Sequence, residues 1–266
     1  MKNIDEILTY GYDFKMGKYL GDGWEYFKKG AGNYIGFTVV FFVLVLIISM
    51  IPFINLFTTI LEYVLLAGVF IYTRNMLNGR GEFGDFFQGF NHFGQILLFL
   101  LVLLALVLPF IIVFILFLLP EGFIETITSA QTNPQYLIED LQAMFVDMNL
   151  GMMAIVYFVF LFYLIYLYTS YSLALVIIVD RQMPFWDAME MSRKVVAKNF
   201  FSFFGMYFLL GIMLAIGIVL TCGLGMLVAL PYANTVVFAA YDDIIGPEED
   251  AQEKNLEEFG GAAEAG

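Results

Sequence analysis

The sequence predicts an all-α integral membrane protein with six transmembrane helices. Of its 266 residues, 61% are hydrophobic and only 14% are charged, whereas a soluble domain of this size is about half apolar and a quarter charged. One water-soluble core cannot bury so many apolar side chains, so membrane lipid must cover much of this surface. The arrangement follows from the long apolar segments, the placement of the basic residues, and a recurring charged segment.

Six segments are long and apolar enough to cross a bilayer, which takes about 20 mostly apolar residues per helix. Two long apolar runs are divided by a short turn, PFIN at 52–55 and CGLG at 222–225, because Gly, Pro and Asn interrupt helical segments. The fourth segment has 28 residues, and we expect it to tilt strongly or to project from the bilayer. The predicted spans lie near 34–52, 56–74, 95–119, 152–179, 200–221 and 224–241.

The basic residues predict the orientation, because Lys and Arg are enriched in cytoplasmic loops. In a six-span arrangement all 12 of them fall on one side, and the loops of the other side hold none. We therefore expect both termini in the cytoplasm and the chain in the cytoplasmic (inner) membrane. The basic residues are Lys2, Lys15, Lys18, Lys28, Lys29, Arg74, Arg80, Arg181, Arg193, Lys194, Lys198 and Lys254.

A charged segment directly precedes three of the spans. GWEYFKKGAGNYIGF from Gly23 and MEMSRKVVAKNFFSF from Met189 share the pattern Glu-x-x-[Lys/Arg]-Lys, and EFGDFFQGFNHFGQILLF from Glu82 is a weaker match. Glu and Lys four residues apart lie on one helix face, with Trp24 and Phe27 on the other, toward the acyl chains. We therefore expect three units, each an interfacial helix followed by a two-helix hairpin. The alternative is that any helix entering a membrane carries bases and aromatic residues at its start.

The bases of the first and third of these segments are the expected contacts to lipid headgroups. Long basic side chains of an interfacial helix extend toward the phosphates while their apolar stems remain at the acyl boundary. These residues are Lys28, Lys29, Arg193, Lys194 and Lys198.

Outside the spans, the sequence predicts one further helix and two cytoplasmic segments. In the loop between the third and fourth spans, TNPQYLIEDLQAMFVDMN from Thr132 begins with a helix start signal at Pro134. Its apolar residues share one face, which is typical of an amphipathic helix, here an extracytoplasmic one. Residues 1–17 form an N-terminal segment and residues 18–246 the membrane domain. The tail at 247–266 is acidic and rich in Gly and Ala, so we expect it to be disordered.

Few residues offer chemistry within the predicted spans. Glu62 is the one acid well inside a span, where a carboxylate is unfavourable unless it faces water or a partner. It is either part of a proton or cation path, or a protonated group that bonds a neighbouring helix or reaches the interface. Tyr163, Tyr166 and Ser170 share one face of the fourth span. They either line a ligand cavity or hydrogen-bond between helices and to carbonyls of their own helix.

The residue types present exclude several enzyme classes. The single histidine, His92, cannot build a multi-histidine iron or zinc site, and the single cysteine, Cys222, supplies neither a metal cluster nor an intrachain disulfide. No nucleophile motif surrounds a serine, and no glycine-rich phosphate loop follows a strand. The basic residues are too few, and too near the membrane, to bind nucleic acid. We therefore expect no catalytic residue, no metal and no cofactor.

Several motifs together carry a resemblance to a known group of proteins. The charged segments and hairpins, FWDAMEMSRKVVAKNF, the spans with small residues, LPYANT and a closing AAYDD resemble a broad group of uncharacterised bacterial multi-pass proteins. That group is loosely similar to the membrane domain attached to some glycerophosphoryl diester phosphodiesterases, and the resemblance covers about residues 18–245. The phosphodiesterase catalytic domain is absent from this sequence, so the resemblance implies no reaction. Some such proteins are labelled carotenoid oxygenases. That activity would require several iron-binding histidines, and because this sequence has one, the label does not fit it.

The interpretation that these observations favour is a non-enzymatic multi-pass membrane protein that acts as a scaffold, binds lipids or binds a partner. Membrane lipids, a membrane protein and a second copy of the chain are the candidate partners. The alternative is a small transporter or channel that uses Glu62 and the polar face of the fourth span. A membrane enzyme is the third alternative, and it would need polar groups that converge on one cytoplasmic cavity.

Overall fold

The computed structural model describes residues 4–50, 55–118 and 150–246, and in these residues it contains helices and turns but no strand. The all-α prediction is therefore confirmed for this part of the chain. The helices are α1 (Ile4–Tyr10), α2 (Met16–Lys29), α3 (Ala31–Ser49), α4 (Asn55–Leu77), a 3₁₀ helix (Phe83–His92), α5 (Phe93–Leu118), α6 (Leu150–Ser170), α7 (Ala174–Asp180), α8 (Phe185–Lys198), α9 (Phe200–Leu220) and α10 (Met226–Ile245).

Within the described residues, five helical segments are long and apolar enough to cross a membrane. The sixth predicted span corresponds to α10, which has 20 residues but includes Pro231 and, near its end, Asp242 and Asp243. Half of the residues of α10 are buried inside the protein, the same share as in the Thr58–Leu77 segment of α4. The five segments are Ala31–Ile48, Thr58–Leu77, Phe83–Ile115, Gly151–Asp180 and Phe200–Leu220.

Three predicted features lie wholly or mostly outside the described residues. They are the PFIN turn at 52–55, of which only Asn55 is described as the first residue of α4, the extracytoplasmic helix from Thr132, and the acidic tail at 247–266. The CGLG turn is described, and residues 221–225 join α9 to α10 there. Cys222 and Gly223 have positive φ angles of 52° and 97° in this turn.

The charged segments run into the apolar helices without a linker. Only Gly30 separates α2 from α3, and only Asn199 separates α8 from α9. The 3₁₀ helix is followed directly by α5. Each charged segment therefore determines where the helix that follows it begins.

The middle charged segment forms a 3₁₀ helix, whereas the sequence predicted an α-helix. Two glycines bring its backbone against α4. An ideal Cβ at Gly68 of α4 would overlap the Phe86 carbonyl oxygen, and one at Gly89 would overlap the Val64 carbonyl oxygen. Because 3₁₀ runs of this length are uncommon, we attribute this one to the close approach, which only glycine permits.

An aromatic core joins α3, α4 and the 3₁₀ helix. Phe86 is fully buried, and the ring centroids of Phe37 and Tyr72 each lie 4.2 Å from its own. Phe27 of α2 belongs to the same cluster and is 4% exposed. Phe27 therefore packs against protein, whereas a purely interfacial α2 would turn it toward acyl chains.

The remainder of α2 packs on α10. Near its start, the Tyr19 hydroxyl donates a hydrogen bond of 3.1 Å to the Asp243 carboxylate. Farther along, the Thr235 hydroxyl donates to the Gly23 carbonyl at 2.8 Å. An ideal Cβ at Gly23 would lie 2.6 Å from a methyl carbon of Val236. Glycine at this position thus lets the two helices touch.

The fourth predicted span is interrupted. A turn at 171–173 separates α6 from α7, and Ser192 of α8 satisfies backbone groups on both sides of it. The Ser192 hydroxyl donates to the Ser170 carbonyl at 2.8 Å and accepts a hydrogen bond from the Leu173 N–H at 3.2 Å. The sequence predicted one continuous helix of 28 residues because the break depends on a serine that lies 19 residues beyond Leu173.

The described helices group into two compact units, Met1–Phe99 with Thr169–Gly266, and Leu100–Tyr168. The second unit contains the C-terminal part of α5 and most of α6. These two helices contact through stacked rings, with 3.9 Å between the centroids of Phe110 and Tyr163. The cavity and the ion pairs described below belong to the first unit.

Candidate functional site

A cavity of about 290 Å³ lies among α3, α4 and α10. Each of these helices is long enough to cross a membrane, and the lining residues extend from the first turn of α3 to the middle of α4. Most of the wall is aromatic or aliphatic. The lining residues are Tyr34, Phe37, Thr38, Phe41, Glu62, Tyr63, Leu66, Val69, Leu230, Pro231 and Asn234.

The polar atoms on the α3 wall are already hydrogen-bonded. The Thr38 hydroxyl donates to the Tyr34 carbonyl at 2.8 Å. The Thr73 hydroxyl donates to the Val69 carbonyl at 2.7 Å, so the Tyr34 hydroxyl is the donor in its 2.7 Å contact with the Thr73 oxygen. The Tyr34 ring is therefore held in place, and Thr38 has no proton left to donate to a bound molecule.

The side chains of Glu62 and Asn234 differ from those of Tyr34 and Thr38 in their hydrogen bonding. Both side chains line the cavity and are partly buried. No hydrogen bond or ion pair joins either of them to a side chain within the described ranges. A carboxylate or an amide without a partner is unfavourable where water is scarce. Both groups are therefore available to a molecule that enters the cavity.

Pro231 shapes the α10 wall of the cavity. Proline has no N–H, so a carbonyl one turn earlier loses its usual donor within the helix. Asn234 and Thr235 lie about one turn after Pro231 in α10. The Thr235 hydroxyl is shared between the Tyr232 and Gly23 carbonyls, at 2.8 Å from each. The Asn234 amide is left facing the cavity.

Three of the predicted spans meet at a charged cluster formed by Arg74, Asp180 and Asp242. The Arg74 guanidinium donates to Asp180 through Nε at 2.8 Å and Nη2 at 2.9 Å, and to Asp242 through Nη2 at 2.6 Å. The Tyr241 hydroxyl also donates to Asp180, at 2.6 Å. The guanidinium carbon lies 4.9 Å from the centre of the Phe238 ring. This single base connects the ends of α4, α7 and α10.

A second ion pair involves the acid that follows Asp242 in the chain. Lys18 of α2 donates to one oxygen of Asp243, and the Tyr19 hydroxyl donates to the other at 3.1 Å. The hydrogen bond with Asp243 raises the pKa of the Lys18 ammonium above its ordinary value. The two acids at the end of α10 therefore bind bases from two different helices, α4 and α2.

The polar face predicted on the fourth span is not among the described residues that line the cavity. The Tyr163 hydroxyl donates to the Leu106 carbonyl at 3.0 Å, which is a bond between helices of the second unit. Ser170 accepts the hydrogen bond of Ser192 through its carbonyl. Tyr166 is 45% exposed. The contact of Tyr163 favours the interhelical interpretation, and the role of these residues in a ligand path stays a prediction.

The five bases predicted to contact headgroups lie on α2 and α8. Lys28 pairs with Glu25 at 2.7 Å, and Glu190 pairs with Arg193 at 2.8 Å and with Lys194 at 3.3 Å. The hydrogen bond from Arg193 lowers the pKa of the Glu190 carboxyl. Exposed pairs of this kind contribute little to stability. Binding to headgroups stays a prediction for Lys28, Lys29, Arg193, Lys194 and Lys198.

Sequence reasoning missed the ion pairs that join the spans. Arg74, Asp180 and Asp242 each stand at the end of a predicted span, all on the same predicted side. Opposite charges at equal depth in neighbouring spans are a signal for an interhelical pair, and that signal was available. No sequence signal marked Asn234 as a site residue, because its place in the same cavity as Glu62 depends on how α4 and α10 pack.

Together these features are those of a class: the described part of the chain is helical, its apolar helices are compatible with a multi-pass membrane protein, and a small cavity lies among three of them. No protein-family model matches the chain, and comparisons with curated proteins and with solved structures likewise give no match. The function is therefore argued from the cavity and its surroundings.

Proposed function

We propose that this protein is a non-enzymatic membrane component that binds an amphiphilic molecule in the cavity lined by Glu62 and Asn234. One observation carries the proposal. The wall is mostly apolar, yet it holds the polar side chains of Glu62 and Asn234, and neither forms a hydrogen bond with a described residue. A molecule with an apolar body and a small polar group would satisfy both parts of such a site. This is the lipid-interacting form of the function expected from the sequence.

We place the protein in the bacterial cytoplasmic membrane with both termini in the cytoplasm. The distribution of the 12 basic residues supports this orientation. The proposal includes the three units of interfacial helix and hairpin, and the direct junctions at Gly30 and Asn199 support two of them. It also includes the relationship to the membrane domain of glycerophosphoryl diester phosphodiesterases.

Headgroups of membrane lipids are the proposed partners of the bases on α2 and α8. A shallow depression lined by Glu25, Tyr26, Lys28, Lys29 and Leu77 supports this assignment. Two ammonium groups and a tyrosine at one depression suit a phosphate, since ammonium groups are strong donors to anionic oxygens. A membrane protein or a second copy of the chain is the further partner that we propose.

A small transporter or channel is the second candidate function. The position of Glu62 in the cavity favours it, because ionisable groups within membrane spans mark ion and substrate paths. The polar face of the fourth span adds no support, since none of Tyr163, Tyr166 and Ser170 is among the described lining residues. A flat response in liposome flux assays across ions and small metabolites would remove this candidate.

The binding proposal is tested by filling the cavity. In the variant Leu66→Trp, the larger side chain would occupy the cavity, whereas Leu98→Trp places the same side chain at a position that is 43% exposed. Native mass spectrometry of protein purified in mild detergent should detect a bound amphiphile on the wild type and on Leu98→Trp, and none on Leu66→Trp. Equal retention by all three proteins would contradict the proposal.

A further inference from the structure

We propose that the ligand of this cavity is an organic cation with a compact apolar body, and that Glu62 supplies the counter-charge. This inference rests on the proposed function and specifies the chemical class of the ligand. It follows from three properties of the site, namely its charge, its aromatic wall and its size.

Glu62 is the one charged residue among the described residues that line the cavity. The nearest base along its own helix is Arg74, which lies 12 residues further on, or about 18 Å at the helical rise of 1.5 Å per residue. Arg74 is engaged by Asp180 and Asp242. Among the described residues no ion pair involves Glu62, and a cationic ligand would supply one.

Four aromatic rings surround the same space. Tyr34, Phe37, Phe41 and Tyr63 line the cavity together with Glu62. Aromatic rings attract cations through the negative potential of their faces, and this attraction is strongest where water is excluded. A carboxylate beside several aromatic rings is therefore suited to an ammonium or a related organic cation. It is less suited to a small metal ion, which prefers several oxygen ligands.

The remaining features set limits on the ligand. The volume of about 290 Å³ admits a compact body rather than a complete phospholipid. The Asn234 amide can accept a hydrogen bond from an N–H group and still donate from its own nitrogen. A primary ammonium on a rigid apolar cage would therefore engage Glu62 and Asn234 together, while its cage contacts Leu66 and the rings.

Two probes of similar shape test the requirement for charge. We expect 1-adamantylammonium to bind the detergent-solubilised protein at least about tenfold more tightly than 1-adamantanol near neutral pH, as measured by equilibrium dialysis against a blank of empty micelles. The variant Glu62→Gln should lose this preference and still bind the alcohol. The variant Glu25→Gln removes an exposed acid of α2 and should keep the preference.

The outcomes separate this inference from the function on which it rests. Equal affinity of the wild type for the two probes, with binding abolished in Leu66→Trp, would overturn the cation assignment and leave the amphiphile site standing. An unchanged preference in Glu62→Gln would overturn the role of Glu62. Failure of both probes to bind the wild type would overturn the cation assignment, and the mass-spectrometric test then decides the amphiphile site independently. The comparison of probes on the wild type needs no variant, so it remains decisive if Glu62→Gln does not fold.

Discussion

Arg74 and Asp180, which are 106 residues apart in the chain, face each other through two parallel hydrogen bonds of 2.8 and 2.9 Å. The Asp180 side chain is 5% exposed and that of Arg74 is 19% exposed, so the pair is largely removed from water. Such a two-point contact holds both groups in one geometry. Because Asp242 binds the same guanidinium, this one base pairs with two carboxylates from different helices.

Replacing this base should be strongly destabilising. We expect Arg74→Met to lower the free energy of unfolding by about 3–5 kcal/mol, because the largely buried Asp180 carboxylate would lose its guanidinium partner. Thermal and denaturant unfolding in detergent would measure the loss. The control is Arg193→Met, which breaks an exposed pair and should cost less than about 1 kcal/mol. Similar losses in the two variants would show that the Arg74 cluster does not hold the helices together.

The contact between α4 and the 3₁₀ helix should not tolerate a side chain at Gly68. A Cβ there would overlap the Phe86 carbonyl, so we expect Gly68→Ala to lower the free energy of unfolding by about 1–3 kcal/mol or more. At Gly94 of α5 nothing lies within 4 Å of an added Cβ. Gly94→Ala should therefore be neutral or slightly stabilising. If the unfolding temperatures of the two variants agree, the close approach is not needed for stability.

The hydroxyl of Ser192 should stabilise the turn between α6 and α7. Ser192→Ala leaves the Leu173 N–H and the Ser170 carbonyl without this partner, which we expect to cost about 1–3 kcal/mol. Hydrogen exchange of the Leu173 amide should accelerate in the variant, whereas Ser202→Ala in α9 should leave it unchanged. Unchanged protection of that amide in Ser192→Ala would mean that the turn forms without the serine.

The proposed orientation can be tested with the single native cysteine. Cys222 is exposed in the turn between α9 and α10, which the six-span arrangement places outside the cytoplasm. A membrane-impermeant maleimide should therefore label it in intact spheroplasts. In a Cys222→Ser background, Lys28→Cys should be labelled only after the membrane is permeabilised. The opposite pattern would reverse the orientation.

The pair of Lys18 and Asp243 should lose its effect at alkaline pH. The folded protein raises the pKa of Lys18 above the ordinary 10.5 because the ammonium is hydrogen-bonded to Asp243. The contribution of the pair is therefore complete below pH 10.5 and declines as the pH rises through the raised pKa. The difference in unfolding temperature between wild type and Lys18→Met should be constant near neutral pH and shrink in strong alkali. A difference that does not change with pH would exclude this pair as its source.

The helical spans could be predicted from the sequence because they depend on the properties of consecutive residues. Apolar length predicted α3, α4, α5 and α9 to within a few residues at each described end, since crossing a bilayer requires a minimum run of apolar residues. The junctions at Gly30 and Asn199 could also be read from adjacent residues. The break at 171–173 could not, because it depends on a hydroxyl from α8.

The residues of the candidate site could be predicted from the sequence only in part. Glu62 stood out because an acid within an apolar span is rare. Asn234 of α10 and the aromatic rings of α3 carry no such signal, since only the packing of the helices brings them to the same cavity. Tyr163 was grouped with Tyr166 and Ser170 because they share one helix face, and a shared face does not reveal which neighbour a side chain contacts.

The sequence by itself determined the class of this protein and the rough position of its spans, because apolar length and the number of charges are properties of consecutive residues. Tertiary structure alone decided which buried polar groups find a partner. Arg74 meets two acids from distant helices, whereas Glu62 and Asn234 face a cavity together. The physical reason is that electrostatic and hydrogen-bond energies depend on distances in space, which are not encoded in the spacing of residues along the chain.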